Sequence, residues 1–198
     1  MREGLKKILR EEHDIAVVGE ARTAGEIVAG IAKSKCDILV LDLSLPDKPG
    51  LEALKDLKLK YPRLRVLILS TYPADRFAVR CLKAGADGYL SKDSAAEELV
   101  AALRRVASGR KYFSEAVSQE LADGLSRDTH VPDHETLTDR EFEIFCLLGS
   151  GKTISEIASA LNLSISTVNT HRSHILEKMR MESNVQLIRY AIENKLVD

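Results

Sequence analysis

The sequence carries no surplus of either charge, with 29 lysines and arginines against 30 aspartates and glutamates in 198 residues. Any affinity for a polyanion must therefore come from local placement of Lys and Arg and from helix N-termini, not from a global field. Cysteine is scarce. Cys36, Cys81 and Cys146 are scattered, odd in number and without metal-ligand spacing, so they read as reduced core residues. No apolar run approaches the roughly 18 residues that span a bilayer, and no signal peptide is visible. The expected location is the cytoplasm, with no membrane partner. No Gly-rich or Ser/Thr-rich loop follows a buried strand, which counts against a flavin- or nucleotide-binding enzyme. A hydrolase using Asp42 as nucleophile would want a second carboxylate two residues on, where Ser44 stands. What remains is a globular chain, 44% hydrophobic and 30% charged, long enough for two small domains.

The most informative stretch is Lys152 to Met179. Thr153 with Glu156 three residues on is a capping box, opening a helix with Ile154, Ile157, Ala158 and Leu161 at helical spacing. Asn162-Leu163-Ser164 ends that helix and starts another, with Ser164 as N-cap. At about 100° per residue, Val168, Ile175 and Met179 share one face of the second helix, with Leu176 at its edge. Ser166, Asn169, Thr170, Ser173 and Glu177 cluster opposite. An ordinary surface helix would also be polar outside, but a short helix, a tight turn and a Ser/Thr/Asn front occur together far less often. An apolar back with short hydrogen-bonding side chains in front is what reading a DNA major groove requires.

Leu137-Thr138-x-Arg140-Glu141, then Gly151, Glu156-Ile157-Ala158, Leu161, Ser164, Thr167-Val168, His171, Leu176 and Lys178 resemble the LuxR-type helix-turn-helix in order and spacing. The resemblance covers the last third of the chain. It implies a small four-helix domain whose third helix enters the major groove and whose last helix, Asn184 to Asn194, makes a dimer contact. Asn169, Thr170 and Ser173 are expected to face base edges, with Arg172 and Lys178 on phosphates and Ser166, Thr167 and His171 completing the surface. Seven basic and eight acidic residues fall between 136 and 198. One copy should bind weakly, and a homodimer on double-stranded DNA is the expected unit.

Up to about Gly109 the chain alternates helical and strand signals, predicting parallel strands with crossover helices. Arg2–Glu12 reads as a helix with Leu5, Ile8 and Leu9 on one face. Ile15–Glu20 reads as a strand, and Thr23 with Glu26 caps the next helix. Cys36–Leu43 is an apolar run ending at an aspartate, the pattern of a central buried strand. Val66–Ser70 and Gly88–Leu90 are further strands, and Ser94 with Glu97 caps a helix to about Gly109. Asp42, Ser70 and Lys92 thus fall at strand C-termini, where open parallel sheets gather their reactive groups. A carboxylate acceptor, a lysine to pair with a phosphoryl group and a hydroxyl to hydrogen-bond it suit phosphoryl transfer.

Asp42-x-x-x-Pro46-x-x-x-Gly50, then Ser70, then Gly85-Ala86-x-Gly88-Tyr89-Leu90-x-Lys92 resemble the receiver domain of two-component response regulators. Joined to a LuxR-type tail, the pattern is similar to the NarL/FixJ subfamily. The resemblance implies a flavodoxin-like (CheY-like), doubly wound α/β receiver. Asp42 would be the phospho-acceptor, fed by a sensor histidine kinase, with Ser70, Tyr89 and Lys92 as the switch and phosphoryl-contacting groups. Mg²⁺ would be the cofactor, ligated by Asp42 and the Ser44 carbonyl. The family's first strand and its acidic pair find no match, since the sequence opens at Met1-Arg2-Glu3-Gly4-Leu5, already in helix. Three readings follow: a fragment or late start, a strand swapped in from a partner chain, or a degenerate receiver used only for dimerisation.

The expected organisation is a receiver over 1–109, a linker over 110–135 and the DNA-binding domain over 136–198. Ser114–Ser126 reads as one helix in the linker, followed by a polar tether through His134. His130 and His134 lack a third ligand and read as solvated. His171 and His174 have the spacing of a helical metal pair, but His171 suits packing better. The leading function is a DNA-binding transcriptional regulator phosphorylated on Asp42. The alternatives are a phosphorylation-independent regulator and, from another class, a flavodoxin-like enzyme with a helical appendage.

Overall fold

β-branched and leucine-rich runs separated by amphipathic stretches build a parallel sheet with crossover helices in the first part of the chain. The computed structural model describes residues 2–71, 74–114, 133–194 and 196–197. It divides into two units, 1–126 and 127–198. The first holds α1 (Arg2–Arg10), α2 (Ala24–Lys33), β1 (Ile38–Asp42), α3 (Gly50–Lys60), β2 (Arg65–Ser70), α4 (Ala74–Lys83), β3 (Gly88–Ser91) and α5 (Ala95–Ala107). The strands pair in parallel in the order β1-β2-β3. The register sets Asp42 opposite Leu69 and Ser70 opposite Ser91.

β2 is central, and its alternating residues point to both faces. Leu67 and Leu69 join Leu90, Leu9 of α1 and Leu99, Ala102, Leu103 and Val106 of α5 in one cluster. Val66 and Ile68, fully buried on the other side, lie beneath α3 and α4, the former against β1 and the latter against β3. Helices therefore cover both faces, as the doubly wound architecture requires. Thr23 caps α2 by accepting from the Glu26 N–H at 3.1 Å. Of the cysteines, Cys81 and Cys146 are buried and Cys36 is half-buried.

Several expectations are corrected. Ile15–Glu20 is not a strand: the segment pairs with no strand of the sheet among the described residues, and Val17 and Val18 are 44% and 55% exposed. A strand needs a hydrogen-bonded neighbour, and β1, the nearest candidate, bonds only to β2 among the described residues. For the same reason β1 is an edge strand, not the central one its composition suggested, and four of its five residues are only half-buried. Ser94 sits at the N-cap of α5 without a side-chain cap bond. Its φ and ψ are helical, so its hydroxyl turns back toward the Ser91 carbonyl. Lys111 and Tyr112, expected in the linker, continue the sheet edge. The Tyr89 N–H donates to the Tyr112 carbonyl at 2.8 Å, and the Tyr112 N–H donates to the Asp87 carbonyl at 3.0 Å. The predicted helix from 114 to 126 and the tether up to Pro132 lie outside the described residues.

The second unit holds a short 3₁₀ turn (Asp133–Thr136), then α6 (Asp139–Gly149), α7 (Ile154–Leu161), α8 (Ile165–Lys178) and α9 (Asn184–Glu193). Capping boxes start α6 at Thr138 with Glu141 and α7 at Thr153 with Glu156. Helix α6 is the core, buried continuously from Glu141 to Gly149. His134 is corrected from a solvated position: its Nδ1 lies 3.0 Å from the Tyr190 hydroxyl, and its ring is 6.0 Å from that of Phe142. His130 lies outside the described residues.

Candidate phosphoryl acceptor and nucleic-acid interface

The ends of β1, β2 and β3 bring Asp42, Ser70 and Lys92 to one edge of the sheet. The Lys92 ammonium donates to Asp42 Oδ2 at 2.5 Å, and the Ser44 N–H donates to Oδ1 at 3.0 Å. The Lys92 N–H donates to the Ser70 carbonyl at 2.7 Å, which fixes the lysine beside the strand end. The Asp42 side chain is 37% exposed and that of Lys92 13%. A reachable carboxylate held against a mostly buried ammonium sets a nucleophilic oxygen beside a positive charge, the pairing that accepting a phosphoryl group needs. Ser70 is fully buried and Tyr89, on β3 opposite Ile68, is 3% exposed.

The loop from Leu43 to Gly50 is closed by the Gly50 N–H donating to the Leu43 carbonyl at 3.0 Å. Any Cβ at position 50 would fall 2.4 Å from the Leu43 Cα. Glycine is thus demanded by backbone approach close to Asp42, matching its place in the motif.

A divalent cation at Asp42 would find that carboxylate and the Ser44 carbonyl. Both Asp42 oxygens already accept hydrogen bonds, and Glu20, at the same end of the sheet, is paired with Lys6 at 2.7 Å. No group of three or more His, Cys, Asp or Glu able to hold a metal occurs among the described residues. Mg²⁺ demands near-octahedral oxygen ligation anchored by carboxylates. The residues present do not fit it.

In the second unit α7 and α8 form the helix pair. Helix α7 ends at Asn162 in the left-handed region, φ 52°, where asparagine is tolerated. Ser164 then caps α8, its Oγ accepting from the Thr167 N–H at 3.0 Å. The back of α8 is buried through Val168, Ile175 and Met179, while Ser166, Asn169, Thr170, Ser173 and Glu177 are exposed. The Thr170 and Ser173 hydroxyls donate to the carbonyls four residues back at 3.1 Å each. Each hydroxyl has spent its hydrogen on the helix and keeps its lone pairs to accept from outside. The Asn169 amide has no protein partner among the described residues, leaving its donor and acceptor for an external ligand.

Not every expected contact residue faces out. The Thr167 hydroxyl lies 2.8 Å from Ser164 Oγ and belongs to the cap. Arg172 Nε donates to Asn184 Oδ1 at 2.6 Å, tying α8 to α9. The Lys178 ammonium donates to Glu141 at 2.6 Å. Burial of Glu141 pushes its carboxyl up, but Lys178 and the Thr138 N–H and hydroxyl outweigh this and hold it below the usual value. His171 is half-buried, and its Nδ1 has no hydrogen-bond partner among the described residues. Burial, aided by Arg140 and His174 and opposed by Glu141, lowers its pKa, so the ring is neutral at pH 7. Among the described residues, His171 and His174 belong to no group of three or more side chains able to hold a metal.

Sequence reasoning missed the Glu141–Lys178 pair, which fastens α6 to α8, and the Arg172–Asn184 bond. The Thr138-x-x-Glu141 spacing is that of a capping box, but the 37-residue reach from Glu141 to Lys178 is a tertiary fact.

Comparison with known proteins fits both units. The receiver-domain model of response regulators matches residues 1–104, and that of bacterial regulatory proteins of the luxR family matches residues 135–191. The response regulator protein VraR of Staphylococcus aureus is 33% identical over 197 residues, which is 100% of this chain and 93% of that protein. A structure of the RcsB response regulator of Salmonella typhimurium is similar with a TM-score of 0.64 at 26% identity, covering 96% of this chain and 90% of that one. A LuxR-family two-component response regulator from Aurantimonas sp. is similar with a TM-score of 0.57 at 34% identity, covering 64% of this chain and 90% of its own. RcsB solved as a DNA complex gives a TM-score of 0.56 at 26% identity, covering 95% of this chain and 90% of that one. The chain belongs to the two-component response regulators that join a receiver domain to a LuxR-type DNA-binding domain.

Proposed function

We propose that this protein binds double-stranded DNA as a homodimer, with α8 in the major groove, and regulates transcription in response to a sensor histidine kinase. The observation that carries the reading is α8 itself, with buried Val168, Ile175 and Met179 behind and exposed Asn169, Thr170 and Ser173 in front. Asn169 can bridge adenine N6 and N7, and the Thr170 methyl can touch a thymine methyl, so A·T pairs are favoured at one or two positions of each half-site. Ser166 and Thr167 lie in the first turn of α8, where the helix dipole attracts a phosphate, and Arg172, two turns further along, supplies charge through the guanidinium nitrogens that do not bond Asn184. Lys178 reaches a phosphate only by leaving Glu141, so Arg172 carries more of that role; His171, neutral, packs beneath. Val185 and Ile192 on α9, 74% and 53% exposed and two turns apart, are the dimer contact. The RcsB–DNA complex and the family's character as transcription regulators, not enzymes, support this reading. No helix among the described residues is long and apolar enough to cross a membrane, and the proposed location is the cytoplasm.

Selection from random duplexes tests the reading. The enriched sites are expected to hold two related half-sites, about one helical turn apart, bound by two chains per duplex. Enrichment no better than the starting pool would refute it.

For the input side, Asp42 is proposed as the acceptor, with Lys92 to pair with the phosphoryl group, Ser70 to hydrogen-bond it and Tyr89 to respond by changing rotamer. The domains are taken as 1–109, 110–135 and 136–198. Receiver domains generally use Mg²⁺ for phosphorylation. A second reading is a regulator whose receiver acts without phosphorylation, and the poor fit of the described groups around Asp42 to that ion is the observation behind it. On that reading, incubation with acetyl phosphate and Mg²⁺ leaves the chain essentially unlabelled by intact mass. Rapid Mg²⁺-dependent labelling that is lost in Asp42→Asn would overturn the second reading in favour of the first.

A further inference from the structure

Parallel strands joined by crossover helices gather strand N-termini and helix C-termini at the end of the sheet opposite Asp42. Hydrogen bonds tie that end into one surface. The Arg65 N–H donates to the Asp37 carbonyl at 3.3 Å, and the Asp87 N–H donates to the Val66 carbonyl at 2.8 Å. The Lys58 ammonium donates to the Leu64 carbonyl at 2.8 Å, that of Lys111 to the Ala86 carbonyl at 2.7 Å, and Arg105 Nε to the Lys111 carbonyl at 2.9 Å. The four segments 33–37, 58–65, 83–87 and 105–111 hold ten lysines and arginines against two aspartates, in a chain whose net charge is -1. One of the two, Asp87, is already shared by Lys58 at 2.6 Å and Lys111 at 3.2 Å. Arg104, next to these segments, is spent on Glu12 and Asp14 at 2.5 and 2.7 Å.

Helix stability explains only part of this charge. A helix dipole favours cations in the last turn, which accounts for Lys33, Lys60, Lys83 and Arg105. The four dipoles return roughly half a negative charge each, about two in all against a surplus of eight. Lys35, Arg63, Arg65, Arg110 and Lys111 stand beyond any helix. Arg63 and Arg110 are exposed, and neither has an ion pair or side-chain hydrogen bond among the described residues. The surface also lacks the apolar centre that a protein interface needs. Leu59 stands alone, 84% exposed, and the Lys60 ammonium lies over the Tyr61 ring, 5.6 Å from its centroid. No asparagine or glutamine occurs in the four segments to read a base edge. Guanidinium and ammonium groups in such company suit phosphates, which release their condensed counterions on binding.

We propose that this end of the receiver sheet is a second DNA contact, one that binds the phosphate backbone of a duplex whatever its sequence. It rests on the reading of the chain as a DNA-binding protein, which brings a duplex within reach, but it needs no base reading by α8.

The test uses the full chain and a fluorescein-labelled duplex of random sequence, about three helical turns long, followed by anisotropy over a range of KCl concentrations. The triple variant Lys60→Gln, Arg63→Gln and Arg110→Gln changes exposed positions only. It should bind at least tenfold more weakly at low salt, with a salt slope shallower by about 2 to 3. Its preference for a selected site over random sequence should equal that of wild type. Without DNA, exchange of its β2 and α5 amides should also match wild type, which shows an intact fold. In wild type the duplex should protect the amides of 63–65 and 110–111 from hydrogen exchange. An unchanged salt slope would overturn the proposal. So would equal protection of those amides by poly-L-glutamate at matched charge, which would make an acidic polypeptide the partner. A chain that prefers no site, yet loses slope in the triple variant, would refute base reading by α8 and leave this contact standing.

Discussion

Gly50→Ala is expected to lower the stability of the receiver unit by about 3 kcal/mol, the upper part of the range for overpacking a close contact. The added Cβ would lie 2.4, 2.5 and 2.7 Å from the Cα, carbonyl oxygen and carbonyl carbon of Leu43. These are backbone atoms, so no side-chain rotation relieves the clash. Two responses are open, and both are costly. The loop can open and lose the Gly50 N–H to Leu43 carbonyl bond, or Leu43 can shift and drag the neighbouring Asp42 away from Lys92. Gly30→Ala in α2 is the internal control. Its Cβ meets nothing within 4 Å, and replacing a mid-helix glycine should stabilise by about 0.8 kcal/mol. Hydrogen exchange on β1 and β2 amides of the two variants reads both effects. Equal protection in Gly50→Ala and wild type would show that the loop does not approach so closely.

Lys178→Met should destabilise the DNA-binding unit by about 3 kcal/mol at pH 7, the low end of the cost of breaking a buried ion pair. The cost falls at that end because it arises chiefly from Glu141, whose side chain is 5% exposed, against 38% for Lys178. The pH dependence separates this from simple loss of packing. In the wild type the folded pKa of Glu141 lies below its ordinary value of 4.5. Its contribution is therefore present above that value and is lost as pH falls through the folded pKa. In Lys178→Met burial dominates and raises the carboxyl, so the penalty is full at neutral pH and is relieved on acidification. The difference between the two proteins should shrink from pH 7 to about 4. Adding Glu141→Gln to Lys178→Met should recover most of the loss, since no unpaired charge remains and the amide oxygen can still accept from Thr138. Hydrogen exchange of α6 and α8 amides provides the readout. A gap independent of pH would assign the effect to packing alone.

Local signals were the ones legible in the sequence. The Thr153 and Ser164 caps, the helix end at Asn162 and the apolar back of α8 depend on residues a few positions apart, and they stand where spacing placed them. Strand ends carried Asp42, Ser70 and Lys92 to one edge because parallel topology does so for any such sheet. What failed needed a neighbour that local pattern does not supply. Ile15–Glu20 has strand composition but no partner to bond with, and β1 has the composition of a central strand while lying at an edge. Lys178 and Arg172 looked like free cations because nothing nearby in sequence reveals that Glu141 and Asn184 fold onto them. His134 looked solvated for the same reason, with Tyr190 lying 56 residues away.

The central claim is that α8 reads bases through its Asn169, Thr170 and Ser173 front and does not merely hold phosphates. Competition binding of wild type and Asn169→Ala, on a selected site and on its single base-pair substitutions at several salt concentrations, tests it most directly. The expected result is a loss of about 1–3 kcal/mol on the selected site, with discrimination erased at one position of each half-site and the salt slope unchanged. An equal loss on every sequence, with a shallower salt slope, would make Asn169 a phosphate contact and contradict the claim.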